Sequence, residues 1–209
     1  NRDFITAPNI SILFSEMIAI WIISFWENLN CPKQFNLVEL GAGNGEMMKV
    51  LVNTFNKFTQ FKNCCNIKIL EKSNLLKKVQ KKKIDDPKIE WLDNLNQLNS
   101  LPCIFVANEF FDALPIKQFI KKKNKWHERY VKFINQKKAE FFDIPFDMQK
   151  LEKKVKFNIS FKQKFVEYSP LTSVYLKKIT NKIKHNDGGI LIIDYGYLDK
   201  KMKNTLQAV

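Results

Sequence analysis

Short apolar runs alternate with stretches of helical period along the first half of the chain. Apolar side chains at Ile10, Leu13, Phe14, Met17, Ile18, Trp21, Ile22 and Phe25 predict a helix over 10–29, which Cys31-Pro32 ends. Its most apolar part, Met17 to Trp26, spans about half of the ~20 residues that a membrane crossing needs. Glu16 and Glu27 flank it, so it reads as a buried helix. "FNLVEL" (35–40) is a β-type run, and "EMMKVLVNTF" (46–55) has helical period. "NIKILE" (66–71) is a second strand, and "SNLLKKVQKK" (73–82) a second helix with Ser73 as its N-cap. "KIEWL" (88–92) is a weak third strand and "CIFVAN" (103–108) a fourth, buried one. Strands alternating with helices predict βαβ units and a parallel sheet.

The rhythm changes after residue 115. "IKQFIKKKNKWHERYVKFI" (116–134) reads as a hairpin turning at Lys123-Asn124, and "AEFFDIPF" adds a strand, which together predict an antiparallel insertion. Residues 147–164 are lysine-rich and show no clear pattern. "KFVEYS" leads to Pro170, placed to open a helix running to about His185. Gly188-Gly189 ends it, and "ILIIDYGY" (190–197) is a fifth parallel strand. The chain starts with Asn and stops at "TLQAV" without a terminal element, so both ends are expected to be cut from a longer protein.

"VELGAGNGE" is the most informative stretch. Gly41, Gly43 and Gly45 lie between a strand and a helix, where backbone can approach a ligand closely. A dinucleotide fingerprint needs a glycine at position 46, which is Glu46, so a nicotinamide-dependent oxidoreductase ranks low; a P-loop is absent. The spacing E-x-G-x-G-x-G is instead the form typical of S-adenosylmethionine (SAM) binding. Glu39 is placed to meet that ligand's ammonium group, directly or through water. Glu71, ending the second strand, is placed to accept both ribose hydroxyls, and Asp93, after the third strand, to reach the adenine amino group.

Composition removes several alternatives. A 45% hydrophobic content with eighteen Phe excludes a disordered chain. The net charge of +14 suggests an anionic partner, but 33 of the 35 basic residues are Lys and only Arg2 and Arg129 are Arg. Nucleic-acid surfaces lean on arginine forks, so no nucleic-acid partner is expected. Four cysteines without a C-x-x-C pair and only two histidines leave little for a zinc site or a Ser-His-Asp triad, and point to a reducing compartment.

These motifs resemble the MidA-like family of SAM-dependent methyltransferases, which includes bacterial members and a mitochondrial complex I assembly factor. The resemblance covers most of the chain and is carried by "RDFITAPNISILFSEMIAIW", "LVELGAGNGEMM", "VANEFFDALPIKQF", "VEYSP" and "GGILIIDYGY". Relatives carry Pro-Gly-Arg-Gly-Thr where this chain has Ala42 to Glu46, so Asn44 and Glu46 depart from the pattern. The implied fold is an α/β class I methyltransferase: a parallel sheet with helices on both faces and an antiparallel insertion after the fourth strand. The implied layout is one domain with an N-terminal helical segment (1–30), a SAM-binding half (35–115), an inserted β-rich part (116–165) and a return to the sheet (166–209). The implied activity is methylation of an arginine on a complex I subunit, in the mitochondrial matrix of a eukaryote or the cytoplasm of a bacterium. A non-catalytic assembly module on the same fold is the alternative.

"NEFFDALP" (108–115) ends the fourth strand, whose carboxyl end faces the cleft in such sheets. Glu109 is the leading candidate to grip a guanidinium and offset its positive charge, Asp112 the second, and Asn108 a candidate to orient substrate or cofactor. Phe110 and Phe111 are expected to wall the pocket, unless they fill core and Asp112 caps the next turn. Asp194, Tyr195 and Tyr197 near the same edge, and Thr6 and Pro8 before the first helix, form a second tier.

Overall fold

The computed structural model describes residues 7–135, 138–196 and 202–206. The chain divides into two compact units, one of Asn1–Ala113 and Val174–Tyr195, the other of Leu114–Ser173 and Gly196–Val209.

The first unit is built on five parallel strands. β1 (Phe35–Leu40), β2 (Cys65–Leu70), β3 (Glu90–Leu92), β4 (Cys103–Asn108) and β9 (Gly188–Ile193) stand in the order β3-β2-β1-β4-β9. β1 is buried along its whole length, as a central strand covered on both faces must be. The chain steps outward from β1 through β2 to β3 and then crosses back to β4 on the other side. That reversal makes the β1–β4 boundary the switch point of the sheet.

Strand alternation sorts the side chains onto two faces. Phe35, Leu37, Ile69, Ile104 and Val106 face α2 (Ile12–Asn28) and α3 (Glu46–Phe55), whose Ile18, Ile22, Met48 and Leu51 complete that core. Val38, Leu40, Phe105 and Ala107 form the other face with Leu95 and Leu98, from a short turn, and Ile179 of α7 (Pro170–Asn186). The first helical segment breaks into α1 (Ala7–Ile10) and α2 at Ser11. It is not buried all round as the sequence suggests. Ile18, Ala19, Ile22, Ile23 and Trp26 lie on the sheet, whereas Leu13 and Met17 are more than half exposed, because one stripe of a helix is all that one sheet can cover. Short helix α4 (Thr59–Cys64) precedes β2, and α5 (Asn74–Ile84) starts at Ser73, whose hydroxyl accepts the Leu76 amide as the N-cap pattern predicts.

The second unit holds an antiparallel sheet in the order β7-β6-β5-β8. The hairpin of β5 (Lys117–Lys122) and β6 (Lys125–Asn135) turns at Lys123-Asn124, both with positive φ, and β7 (Lys138–Pro145) extends it. Residues 147–164, unpatterned from sequence, contain α6 (Met148–Val155), capped by Asp147 and packed through Met148 and Leu151 on Phe119 and Val166. The chain does not rejoin the parallel sheet at residue 166: β8 (Phe165–Tyr168) pairs antiparallel with Lys117–Ile120, and the return comes through α7.

Candidate active site

The carboxyl edge of the parallel sheet gathers polar groups that the sequence spreads over seventy residues. Glu39 and Asn108 occupy the ends of β1 and β4, on the same face as Leu37 and Val106, and Glu71 follows Ile69 on that face. Burial at a sheet edge would ordinarily be compensated by partners. Glu39 is 3% exposed, and among the described residues its Oε2 has no hydrogen-bond donor; the buried Oδ1 of Asn108 also lacks one there. Burial, reinforced by the charge of Glu71, pushes the Glu39 carboxyl up to about 8. Two acceptors on neighbouring strands at the switch point, without a donor among the described residues, are of the kind an ammonium group can satisfy.

The glycine loop is shaped for the same purpose. Gly41 has φ +66°, and a Cβ there would lie 2.8 Å from the ring of Phe110, so glycine is required both by backbone and by packing. Gly43, with φ +53°, has nothing from the described residues within 4 Å of the place where a Cβ would point. That open space is what a closely approaching ligand needs. Gly45 precedes α3 in the left-handed region. The two departures in this loop have local partners: Asn44 accepts the Glu46 amide and donates to Asn9, and Glu46 pairs with Lys83 at 2.6 Å.

Glu71 is 9% exposed and accepts from the Ser73 amide at 2.8 Å and from Gln80 Nε2 at 3.0 Å. A carboxylate has about four lone-pair sites, so both oxygens keep capacity for two hydroxyls. Asp93 does not join this group. Its side chain is 70% exposed and paired with Lys77. A cleft of about 790 Å³ lined by Lys81, Asp85, Trp91, Leu92 and Gln97 borders this strand end, without any of the loop glycines.

At the end of β4 the backbone turns sharply, with Glu109 at φ 48°, an uncommon conformation for a non-glycine residue. The Glu109 amide donates to the Ile193 carbonyl at 2.8 Å, which fixes the turn against β9. Asp194 then organises the start of the loop beyond this turn: its Oδ2 accepts the amides of Phe111 and Asp112 at 3.1 and 3.2 Å. The sequence placed Asp194 in the second tier; its backbone-binding role was not legible because amides carry no residue signature. Burial and the charges of Asp112 and Asp194 hold the half-buried Glu109 carboxyl above its usual range, against hydrogen bonds from the Ala7 amide and Asn108. Burial and Asp194 likewise raise Asp112. Phe110 stacks edge-on against Phe111 and against Tyr175 of α7, both at 5.2 Å. The two phenylalanines thus belong to the core of the α7 face, while Phe110 also backs Gly41. Pro8 is buried and Tyr195 is exposed; Thr6 and Tyr197 lie outside the described residues.

Glu39, Glu71, Asn108, Glu109, Asp112, Asp194 and the three glycines therefore share one sheet edge, and Phe110 links the catalytic candidates to the loop. Residues 17–209 match the family model described as "Putative S-adenosyl-L-methionine-dependent methyltransferase". The chain belongs to that family. Among curated proteins this methyltransferase-family chain is 27% identical over 223 residues to the "Protein arginine methyltransferase NDUFAF7, mitochondrial" of Xenopus laevis, and 28% identical over 221 residues to that of Homo sapiens. These alignments cover 95% and 93% of the chain but 51% and 49% of the relatives, so the chain spans about half their length. A Burkholderia thailandensis protein crystallised with S-adenosyl-homocysteine superposes with a TM-score of 0.66 at 21% identity, over 85% of this chain and 46% of that one. That likeness is one of fold, and it agrees with the class I methyltransferase architecture expected from the sequence. The residues fit the family's cofactor: an unpaired buried acid for its ammonium, an open glycine for its close approach and an acid with spare acceptors for its ribose.

Proposed function

We propose that this chain carries the cofactor half and the acid-lined acceptor site of a protein arginine methyltransferase. The observation that carries this reading is the cluster of Glu109, Asp112 and Asp194 beside the glycine loop, with no described Lys or Arg paired to any of them. Three acids within mutual influence and without a paired cation among the described residues suit a guanidinium better than a neutral acceptor.

Bound SAM supplies an electrophilic methyl group on a sulfonium. The chain's own residues do the rest. Glu39 and Asn108 anchor the ammonium end, Gly43 leaves room for close approach, and Glu71 holds the ribose. An arginine keeps its proton to a pKa above ~12, so its nitrogen has to be oriented and relieved of a proton. Glu109 accepts hydrogen bonds from the planar fork, leaving one nitrogen free, and takes the proton that nitrogen sheds. Its carboxyl, raised chiefly by burial, is a better base than an ordinary carboxylate. Asp112 offsets the guanidinium charge, and Asp194 holds the backbone of Phe111 and Asp112 in place.

The names of the matched relatives, protein arginine methyltransferases described as mitochondrial, support an arginine acceptor. The resemblance to the MidA-like family adds a complex I subunit as substrate and the matrix as compartment for a eukaryotic owner. Among the described residues no helix is long and apolar enough to cross a membrane. Mass spectrometry of complex I subunits, with full-length protein and SAM supplied or withheld, tests the reading. Methylarginine that appears with the wild type and is lost with Glu109→Gln supports it. Normal assembly with the wild type, SAM supplied and no methylated product formed, would sink it in favour of a binding module.

A further inference from the structure

By composition α5 reads as a solvated helix, with Lys77, Lys78, Lys81, Lys82 and Lys83 in eleven residues. Gln80 nevertheless lies within it wholly buried. It shares the inward stripe of Leu76 and Ile84, each four residues away, where helical spacing calls for an apolar side chain. A buried amide in such a place has to be satisfied, and this one is. One Nε2 hydrogen goes to the Gly43 carbonyl at 2.8 Å, the other to Glu71 Oε2 at 3.0 Å, and Oε1 accepts the Trp91 indole N–H at 2.9 Å. A Cβ on Gly45 would lie 3.4 Å from the Gln80 Cα, so the loop also rests on the helix backbone at this residue.

Three segments separated in sequence thus converge on one side chain: the glycine loop after β1, the acid ending β2 and the tryptophan of β3. We propose that Gln80 is a positioning residue for the cofactor cradle. It pins the carbonyl of Gly43 and holds the Glu71 carboxylate oriented toward the two hydroxyls it is to accept. It locks both to β3, and it acts through these groups rather than on the ligand. The inference rests on the SAM-binding reading of the site. The chemistry demanded is two donors and one acceptor on a planar group, which only a side-chain amide supplies at this length. Glutamate has the same shape, keeps the acceptor for Trp91, and offers a proton only when un-ionised. Ionised, it sets a second negative charge against Glu71 in a buried site, where it resists ionisation but yields at high pH.

That contrast gives the test. S-adenosyl-homocysteine binding to the full-length protein is measured by calorimetry at pH 6 and 8.5 for wild type, Gln80→Glu and Gln80→Leu. Ligand-free melting and hydrogen exchange of the loop amides over 41–46 are followed in parallel. Relative to wild type at the same pH, Gln80→Glu is expected to bind within about threefold at pH 6 and at least about tenfold more weakly at pH 8.5. Gln80→Leu is expected to bind at least about tenfold more weakly at both, with faster exchange of the loop amides in the ligand-free protein. Wild-type affinity of Gln80→Glu at both pH values overturns the proposal. An equal loss at both pH values also overturns it, because packing rather than the amide hydrogens would then be what matters. Should Gln80→Leu fail to fold, the pH response of Gln80→Glu decides alone. If the wild type itself binds no S-adenosyl-homocysteine, the cofactor reading falls first and this one with it.

Discussion

Glu128 and Asp143 of the antiparallel unit have side chains only 10% and 9% exposed, and each is held by a cation. Lys117 approaches Glu128 at 2.5 Å, and Lys122 and Arg129 share Asp143 at 2.6 and 3.1 Å. Those charged partners hold the Asp143 carboxyl below its usual range, against the opposing pull of burial. Glu39 in the parallel unit is as deep, has no described cation beside it, and is pushed up to about 8. Glu109 and Asp112 are raised as well. One chain therefore buries acids in two ways. Glu128 and Asp143 of the antiparallel unit are each held by a cation, whereas Glu39 at the parallel sheet's edge has none among the described residues and bears its burial uncompensated. In this molecule the state of a buried carboxylate separates scaffold from site better than its burial does.

The sharpest break in that contrast is Glu109→Gln. It keeps shape and removes the proposed proton acceptor, and kcat for methyl transfer is expected to fall by about 10² to 10⁴, with S-adenosyl-homocysteine affinity within about threefold. An equal fall in both quantities would place Glu109 among the cofactor contacts instead. Gly43→Val comes next. A branched side chain at φ +53° that points into the open space should weaken cofactor binding by about 100-fold or more in calorimetry, with an unchanged circular dichroism spectrum.

Glu39 gives a stability signature. An unfolded Glu ionises near 4.5, whereas the folded one keeps its proton to about 8. Between these values the native state holds a proton that the unfolded state has lost, so ligand-free stability is full below the lower value and declines as pH rises toward the upper. The decline from pH 5 to 8 is expected to be on the order of 3 kcal/mol and to be absent in Glu39→Gln, checked by denaturant melts at several pH values. The smallest effect is expected in the other unit. Asp143→Asn leaves Arg129 and Lys122 without their carboxylate and should lower stability by about 1–2 kcal/mol, because both cations keep some access to water. It should leave cofactor affinity unchanged, and a tenfold loss of affinity would refute the division between paired and unpaired acids.

The parallel sheet and the place of its polar edge were legible because they follow from alternation. "FNLVEL" and "CIFVAN" alternate two apolar faces and end in polar groups on the same one, so Glu39 and Asn108 could be placed before their neighbours were known. The loop glycines were legible because positive φ leaves a residue signature. What escaped was held by groups without one. Helix α6 was hidden among lysines, although Asp147 with Met148 and Leu151 three apart is a cap and a stripe. Gln80 was lost in a lysine run, although a glutamine four residues from Leu76 and from Ile84 breaks an apolar stripe. The bonds from Asp194 to two main-chain amides had no sequence signal at all, and Asp93, the residue type expected at its position, turned instead to Lys77.

The hydrogen bond from the Ala7 amide to Glu109 carries one more lesson, because its donor belongs to the peptide rather than to a side chain. Nearly any residue at position 7 would preserve it, so scanning mutagenesis would pass over the contact and call the spot neutral. Proline alone lacks the hydrogen. Ala7→Pro is therefore the one exchange there that should shift the acid limb of the rate profile to higher pH, in a protein that still holds its cofactor.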